Sequence, residues 1–216
     1  MAKVETLVPV PAAAPRQTLA PPVTWRDFLP ALTRDSVTLR EPVLADAAAL
    51  LTTLPADAMR EVVADPPPAT LQGFEAFIIR LQADRRAGQL ATWAIVPADT
   101  NVPVGLIGVR AMDPQASMVE GFAVIAEEFR GTALFQSAGR LVLSCLFGPM
   151  RVHRAEFRVD VRNGRANGAL RKLGATQEGL LRRARHDDGG CHDQLLWAIV
   201  ASDWIDTPAA RSASVH

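Results

Sequence analysis

The run Glu128-Phe129-Arg130-Gly131-Thr132-Ala133 is the first place where residue types and spacing suggest chemistry. It follows an extended apolar stretch ending at Ile125. It precedes Leu134, Ala138, Leu141, Val142 and Cys145, which recur at helical spacing. The run is therefore a strand-to-helix junction. The first amides of a helix have no partner inside it, and the helix dipole adds partial positive charge there. Small side chains in Arg-Gly-Thr-Ala let a phosphate approach the backbone, and Arg130 can add a charge-assisted bond. The pattern fits a phosphate-bearing cofactor. An ordinary tight turn into a helix has the same composition.

The elements that must position this junction are legible around it. Val37-Thr38-Leu39-Arg40 reads as a first strand. Ala47, Leu50, Leu51 and Leu54 mark a helix, with Asp46 near its start. Pro66-Pro67-Pro68 forces a break, and Leu71, Phe74, Phe77, Ile78 and Leu81 mark a second amphipathic helix that stops around Gly88. Three strands are expected over Leu90–Val96, Val104–Arg110 and Met118–Ile125, with turns at Asp99 to Asn101 and at Asp113-Pro114. The junction helix should end at Gly148-Pro149.

From Ala155 to Val161 apolar and charged residues alternate, which predicts one buried and one wet face. A short helix through Ala166, Ala169, Leu170 and Leu173 stops at Gly174. Two last strands flank Asp187-Asp188-Gly189-Gly190, a hairpin turn by composition. The second, Leu195–Val200, is continuously apolar and expected to be buried on both faces. The order is an α+β mixed sheet, with antiparallel pairing among the three middle strands and a parallel pair across the junction helix.

Composition bounds the rest. The chain has 216 residues, 49% of them apolar, which suits one domain plus tails and a core that needs no staple. Lys+Arg equals Asp+Glu, 23 against 23, so the broad positive field of non-specific nucleic-acid binding is missing. Cys145 and Cys191 make no disulfide framework and lack zinc-ligand spacing, and no metal is expected. Cys145 reads as a small buried thiol. No stretch reaches the roughly 18 apolar residues of a membrane span. Pro9, Pro11, Pro15 and Glu5 interrupt the N-terminal apolar run, so it does not read as a secretory signal. The expectation is a cytoplasmic protein with a Pro/Ala-rich arm over 1–35, a domain over 36–207 and a tail over 208–216. Trp25, Phe28 and Leu29 need a surface, on this domain or on a second copy.

Beyond the junction stand Asn163-Gly164-Arg165-Ala166-Asn167, then Leu173-Gly174-Ala175, Glu178-Gly179, Asp193, Trp197 and Asp203-Trp204. Order, spacing and element types together resemble the GNAT acetyltransferase superfamily, in its RimJ/RimL-like branch, over about residues 36 to 206. The superfamily motif is (Gln or Arg)-x-x-Gly-x-(Gly or Ala). Gly131 and Ala133 match its last two fixed positions, and Arg130 matches the branch's Arg before Gly. Glu128 stands in the first position, which is a departure.

The resemblance implies a mostly antiparallel sheet in which the strand Met118–Ile125 and the strand from Ala155 splay apart. It implies acetyl-CoA as cosubstrate, with amides from about Arg130 through Gly131, Thr132 and Ala133 to Leu134 on its pyrophosphate. The backbone of Phe122, Ala123 and Val124 would pair with pantetheine, and Asn163, with Asn167 beside it, would hydrogen-bond that arm. The reaction implied is direct acetyl transfer to a primary amine, a protein N-terminus or a small molecule. Amides near Val124 would stabilise the oxyanion.

Many relatives carry Glu three residues before the strand's aromatic. Here Val119 is there and Glu120 is one place on, which turns it to the other sheet face unless a bulge intervenes. Glu120 is the first candidate for general base, and its other reading is a solvated or ion-paired strand carboxylate. The tyrosine that often protonates the leaving thiolate has no counterpart, because the chain contains none.

His186 and His192 flank the last hairpin and read either as solvated hairpin residues or as acceptor-side groups, and His153 reads as structural. Arg182, Arg183 and Arg185 suit either an anionic substrate or a charged edge. Arg165, Arg171 and Lys172 suit either CoA phosphates or a solvated helix. Asp193 is expected to bond the hairpin or a nearby arginine. The other function class is a non-catalytic acyl-CoA-binding or interaction module, and a homodimer through the arm or last strands is possible.

Overall fold

A computed structural model describes residues 25–54, 59–60, 63, 65–113, 115–187 and 190–205. Among the described residues eight strands form one sheet. They are β1 (Leu32–Arg34), β2 (Val37–Arg40), β3 (Leu90–Pro97), β4 (Gly105–Ala111), β5 (Met118–Ile125), β6 (Arg154–Asp160), β7 (Thr176–Asp187) and β8 (Gly190–Val200). Their spatial order is β1-β2-β3-β4-β5-β6-β8-β7. Every neighbouring pair is antiparallel except β5 and β6, which are parallel. Among the described residues the α-helices with defined bounds are α1 (Ala47–Thr53), α2 (Leu71–Ala87), α3 (Ala133–Phe147), α4 (Gly164–Leu173) and α5 (Ala201–Ile205).

Alternation along the strands gives the sheet two covered faces. One face packs Trp93, Ile95, Val109 and Val119 against Ala138, Leu141, Val142 and Cys145 of α3 and Leu170 and Leu173 of α4. The other packs Ala94, Val96, Leu106 and Val124 against Leu50 of α1 and Phe74, Phe77, Ile78 and Leu81 of α2. Helix ends follow their signals. Thr70 caps α2 by accepting from the Gly73 amide, and Gly88 ends it in the left-handed region. Asn163 caps α4, and Gly174 ends it in the same way.

Among the elements that the structure adds to the sequence expectation are a first strand and a last helix. Strand β1 precedes Val37 and turns into β2 at Asp35, whose φ of 50° an aspartate tolerates. Helix α5 closes the described chain, with Trp204 tilted against Phe147 at 6.1 Å between ring centroids. Trp25 and Leu29 pack into the core of this domain, whereas Phe28 is 59% exposed. Arg85, only 8% exposed, fixes that segment. It donates to the carbonyls of Trp25 and Arg26 at 2.9 and 2.7 Å and pairs with Glu41 at 2.6 Å. Residues 1–24, Pro114, the hairpin residues Asp188 and Gly189, and the tail over 208–216 lie outside the described residues.

Two burial expectations need correction. In β6 only Ala155 of the apolar set is fully buried, and Val161, just past its end, is exposed, while the charged Glu156 is buried. The cause lies in the neighbours. Strands β5 and β6 pair over only Met118–Glu120 against Arg154–Glu156 and then part, so Phe157 and Val159 face a gap. Glu156 is matched by Arg154, whose Nε donates to it at 2.9 Å. In β8 the fully buried residues are Trp197, Ala198 and Ile199, while Leu195 and Leu196 are half-buried opposite Val159 and Arg158 of β6. Strand β8 also begins earlier than expected, at Gly190.

Candidate active site

The parting of β5 and β6 builds the site. Strand β5 has eight residues and β6 seven, yet three of each pair. Beyond Glu120 one edge of β5 has no ladder partner among the described residues. Alternate residues of a strand turn their backbone groups to opposite edges. Ala126 N donates to Val104 O, and Val124 O faces Gly105, so the even-numbered residues bond β4. Gly121 and Ala123 therefore present their N–H and C=O groups to the gap. This corrects part of the expectation. Of Phe122, Ala123 and Val124, Ala123 offers backbone to an added chain. Phe122 and Val124 instead place side chains on the α1/α2 face, the Phe122 ring lying over Gly108 of β4.

The loop at the top of β5 is built to leave amides open. After the single-turn helix Glu127–Phe129, Arg130 N donates to Glu127 O and Thr132 N to Phe129 O. Those two of the expected pyrophosphate amides are thus engaged within the turn. Thr132 is the N-cap of α3, but its hydroxyl donates to Phe129 O at 2.7 Å and caps nothing. The first-turn amides of Ala133, Leu134 and Phe135 lack an internal acceptor by helix geometry. Gly131 has a φ of 78° and open space where a Cβ would be. An anion such as a pyrophosphate fits this cradle. Arg130 lies back along the strand, its Nε donating to Ile125 O at 3.3 Å.

On the opposite bank Asn163 uses Oδ1 to cap α4, accepting from Ala166 N at 3.0 Å, and no described residue accepts from its Nδ2. Asn167 is placed differently from the expectation of a cofactor contact. It is 6% exposed, donates to Asp160 O at 3.0 Å and Asn163 O at 2.9 Å, and accepts from Trp197 Nε1 at 2.9 Å. Its side chain is spent inside the protein and ties α4 to the end of β6 that has parted from β5. Asn167→Asp keeps the acceptor for Trp197, removes both donors and sets a charge against two carbonyls. A loss of about 2 kcal/mol or more is expected in urea denaturation, as for a buried polar group stripped of its partners. A change below about 0.5 kcal/mol would refute this role.

Glu120 stands at the vertex of the gap. The β4–β5 register runs without a bulge, so the one-residue offset does turn it away from the buried Val119. It lies on the α1/α2 face, half-buried, with its Oε1 3.6 Å from Arg158 Nε. By register that face also carries Glu156, Arg158 and Asp160 of β6, Gln194 and His192 of β8, and Arg185 of β7. Asp160 is held down to about 2, chiefly by hydrogen bonding from Arg162, with the charges of Arg162 and His192 adding to the effect. Arg185 Nη2 donates to Arg60 O at 3.3 Å, joining the hairpin to the segment after α1.

The histidines separate. His192 shares the Glu120 face, whereas His186 pairs with Cys191 in the next row and lies on the other. His153 is exposed and bonds through its backbone to Ser117 and Ala201. Asp193 Oδ1 accepts from the Arg183 amide at 2.7 Å, where β7 is irregular and Arg183 has a φ of 50°. Arg171 stacks 5.8 Å from the Trp197 ring, and Arg165 and Lys172 are exposed on α4. Sequence reasoning missed Phe157 and Arg158 as site residues. Their signal was the alternation from Ala155 to Val161, which marks the faces without identifying what lies across them.

A family model described as an acetyltransferase (GNAT) domain matches residues 36–176. The chain belongs to the GNAT acetyltransferase family. It is thus an N-acetyltransferase with acetyl-CoA as its cosubstrate. No curated protein matches. Among solved structures, one described as a putative acetyltransferase from T. thermophilus is 26% identical, with a TM-score of 0.69 over 85% of this chain and 95% of that one. Mycobacterium smegmatis RimJ, solved with CoA-disulfide, has 24% identity and a TM-score of 0.70, covering 81% of this chain and 86% of its own. The Microcin C7 self immunity acetyltransferase MccE, solved with acetyl-CoA and AMP, has 19% identity and a TM-score of 0.68, covering 77% and 93%. The last two are likenesses of fold.

Proposed function

We propose that the protein acetylates a primary amine by direct attack on acetyl-CoA held between β5 and β6. The observation that carries this reading is the gap itself, with unpaired β5 backbone below and uncapped α3 amides above. Gly131, Ala133 and Leu134 supply amides for the pyrophosphate. Ala123 pairs with pantetheine across the gap, and Asn163 donates to it from the far bank. Phe122 and Val124 border the thioester on the α1/α2 face, while Arg130 and Thr132 shape the loop. The amine nitrogen attacks the thioester carbon, a C–N bond forms and the C–S bond breaks. Glu120 takes the amine proton. CoA leaves as thiolate, since a thiol near its ordinary pKa of ~8.5 is a fair leaving group.

Placement in the RimJ/RimL-like branch, a catalytic unit over 36–207 and a cytoplasmic setting belong to the same proposal. The acceptor is a protein N-terminus or a small amine, and a homodimer is to be read from the sedimenting mass. Among the described residues no helix is long and apolar enough to cross a membrane. Membership of an enzyme family sets aside the non-catalytic reading. The test is release of free thiol from acetyl-CoA across a panel of peptide N-termini and small amines. Release that depends on an amine is expected. Acetyl-CoA that binds yet loses no acetyl group to any amine would end the catalytic reading.

A further inference from the structure

We propose that Phe157 is the floor of the acyl slot and restricts the protein to short acyl thioesters. The inference rests on the reading that acyl-CoA occupies the gap between β5 and β6. Gly121 and Phe157 are the first residues beyond the last paired couple, Glu120 with Glu156. A Cβ built on Gly121 would sit 2.2 Å from Phe157 Cε1 and 2.7 Å from its Cδ1. The ring therefore crosses from β6 to touch the backbone of β5 just where the strands part. It packs against the α3-side core, so it is not free to swing outward. Glycine at 121 is required because any side chain would occupy the space of the ring.

A thioester that enters from the α3 end meets this ring at the vertex. On the α1/α2 face the same level carries Glu120 and Arg158, charged groups 3.6 Å apart that offer no bed for methylenes. An acetyl group ends before the ring. Each added methylene has to displace an aromatic wedged between two strands or lie against the ion pair. Discrimination between acyl chains differing by methylenes in such a slot runs to about tenfold or more per step.

The experiment is calorimetric titration of the full chain with CoA, acetyl-CoA, butyryl-CoA and hexanoyl-CoA, which needs no acceptor. The wild-type protein should bind butyryl-CoA and hexanoyl-CoA at least about tenfold more weakly than acetyl-CoA. Phe157→Ala should erase that ratio while leaving affinity for CoA within about threefold, since the cradle at Gly131 is remote from the ring. Phe157→Leu, which keeps most of the buried volume, should give an intermediate ratio and guards against a misfolded alanine variant. The proposal is overturned if the wild-type protein binds all three thioesters alike. It is equally overturned if CoA binds both variants as it does the wild type with the ratio unmoved. Failure of CoA itself to bind the wild type would instead remove the slot reading on which the proposal stands.

Discussion

Gly131→Val should lower affinity for acetyl-CoA by about a hundredfold or more, with a smaller loss for Gly131→Ala. Gly131 adopts a φ of 78°, a region that costs an L-residue about 1–2 kcal/mol and a β-branched one more. The space around it is open, so the penalty is backbone strain and not a clash. The loop relieves strain by rotating this peptide, which turns the amides of Gly131 and Ala133 away from their common target. Each such charge-assisted bond is worth about 1.5–3 kcal/mol, and losing one or two gives the stated factor. Titration calorimetry with acetyl-CoA measures it. Because Gly131 sits in a short exposed loop, the apo protein should lose no more than about 2 kcal/mol in urea denaturation. An affinity unchanged within twofold for the valine variant would show that no phosphate uses this turn.

Glu120→Gln should reduce turnover by roughly 10²- to 10⁴-fold while acetyl-CoA affinity stays near wild type, as for removal of a positioned general base. The substitution keeps the shape and a polar contact to Arg158 but cannot accept the proton that the attacking amine must shed. Arg158→Gln should have a far smaller effect, since a half-exposed pair at 3.6 Å contributes little to stability. His192 provides the decisive contrast, because it lies on the same face of the sheet. Full activity in Glu120→Gln combined with a large loss in His192→Gln would transfer the role to the imidazole.

The parts of this site legible in the sequence are those built from contiguous residues. The junction from Glu128 to Ala133 announced a strand-to-helix turn because glycine and small residues precede a helical apolar pattern. The stop at Gly174 was legible for the same reason, whereas the cap that Asn163 makes on α4 came only with the structure. The offset of Glu120 relative to Val119 was also readable, since side-chain alternation is a local property of a strand. What the sequence could not carry was pairing. The unpaired edge of β5 depends on where β6 stops following it, and β6 lies some thirty residues further along the chain. The same holds for Asn167, whose amide is satisfied by Asp160, Asn163 and Trp197. A buried asparagine and a cofactor ligand look alike until those partners are in view. Phe157 looked like one more inward residue of an alternating strand, because nothing local tells that Gly121 lies across from it.

The sheet's outer margins give the central gap a further meaning. Strand β1 at one margin has three residues. Strand β7 at the other carries Arg182, Arg183 and Arg185 and is broken by irregular register. Short length, charge and bulges are the devices by which edge strands resist pairing with foreign chains. The molecule thus discourages strand addition where another protein could reach it. It keeps its receptive edge in the interior of the sheet, where β5 and β6 part beyond Glu120 and Glu156. Selectivity for a slender cosubstrate over a passing polypeptide is then a property of where the sheet leaves its hydrogen bonds unmade.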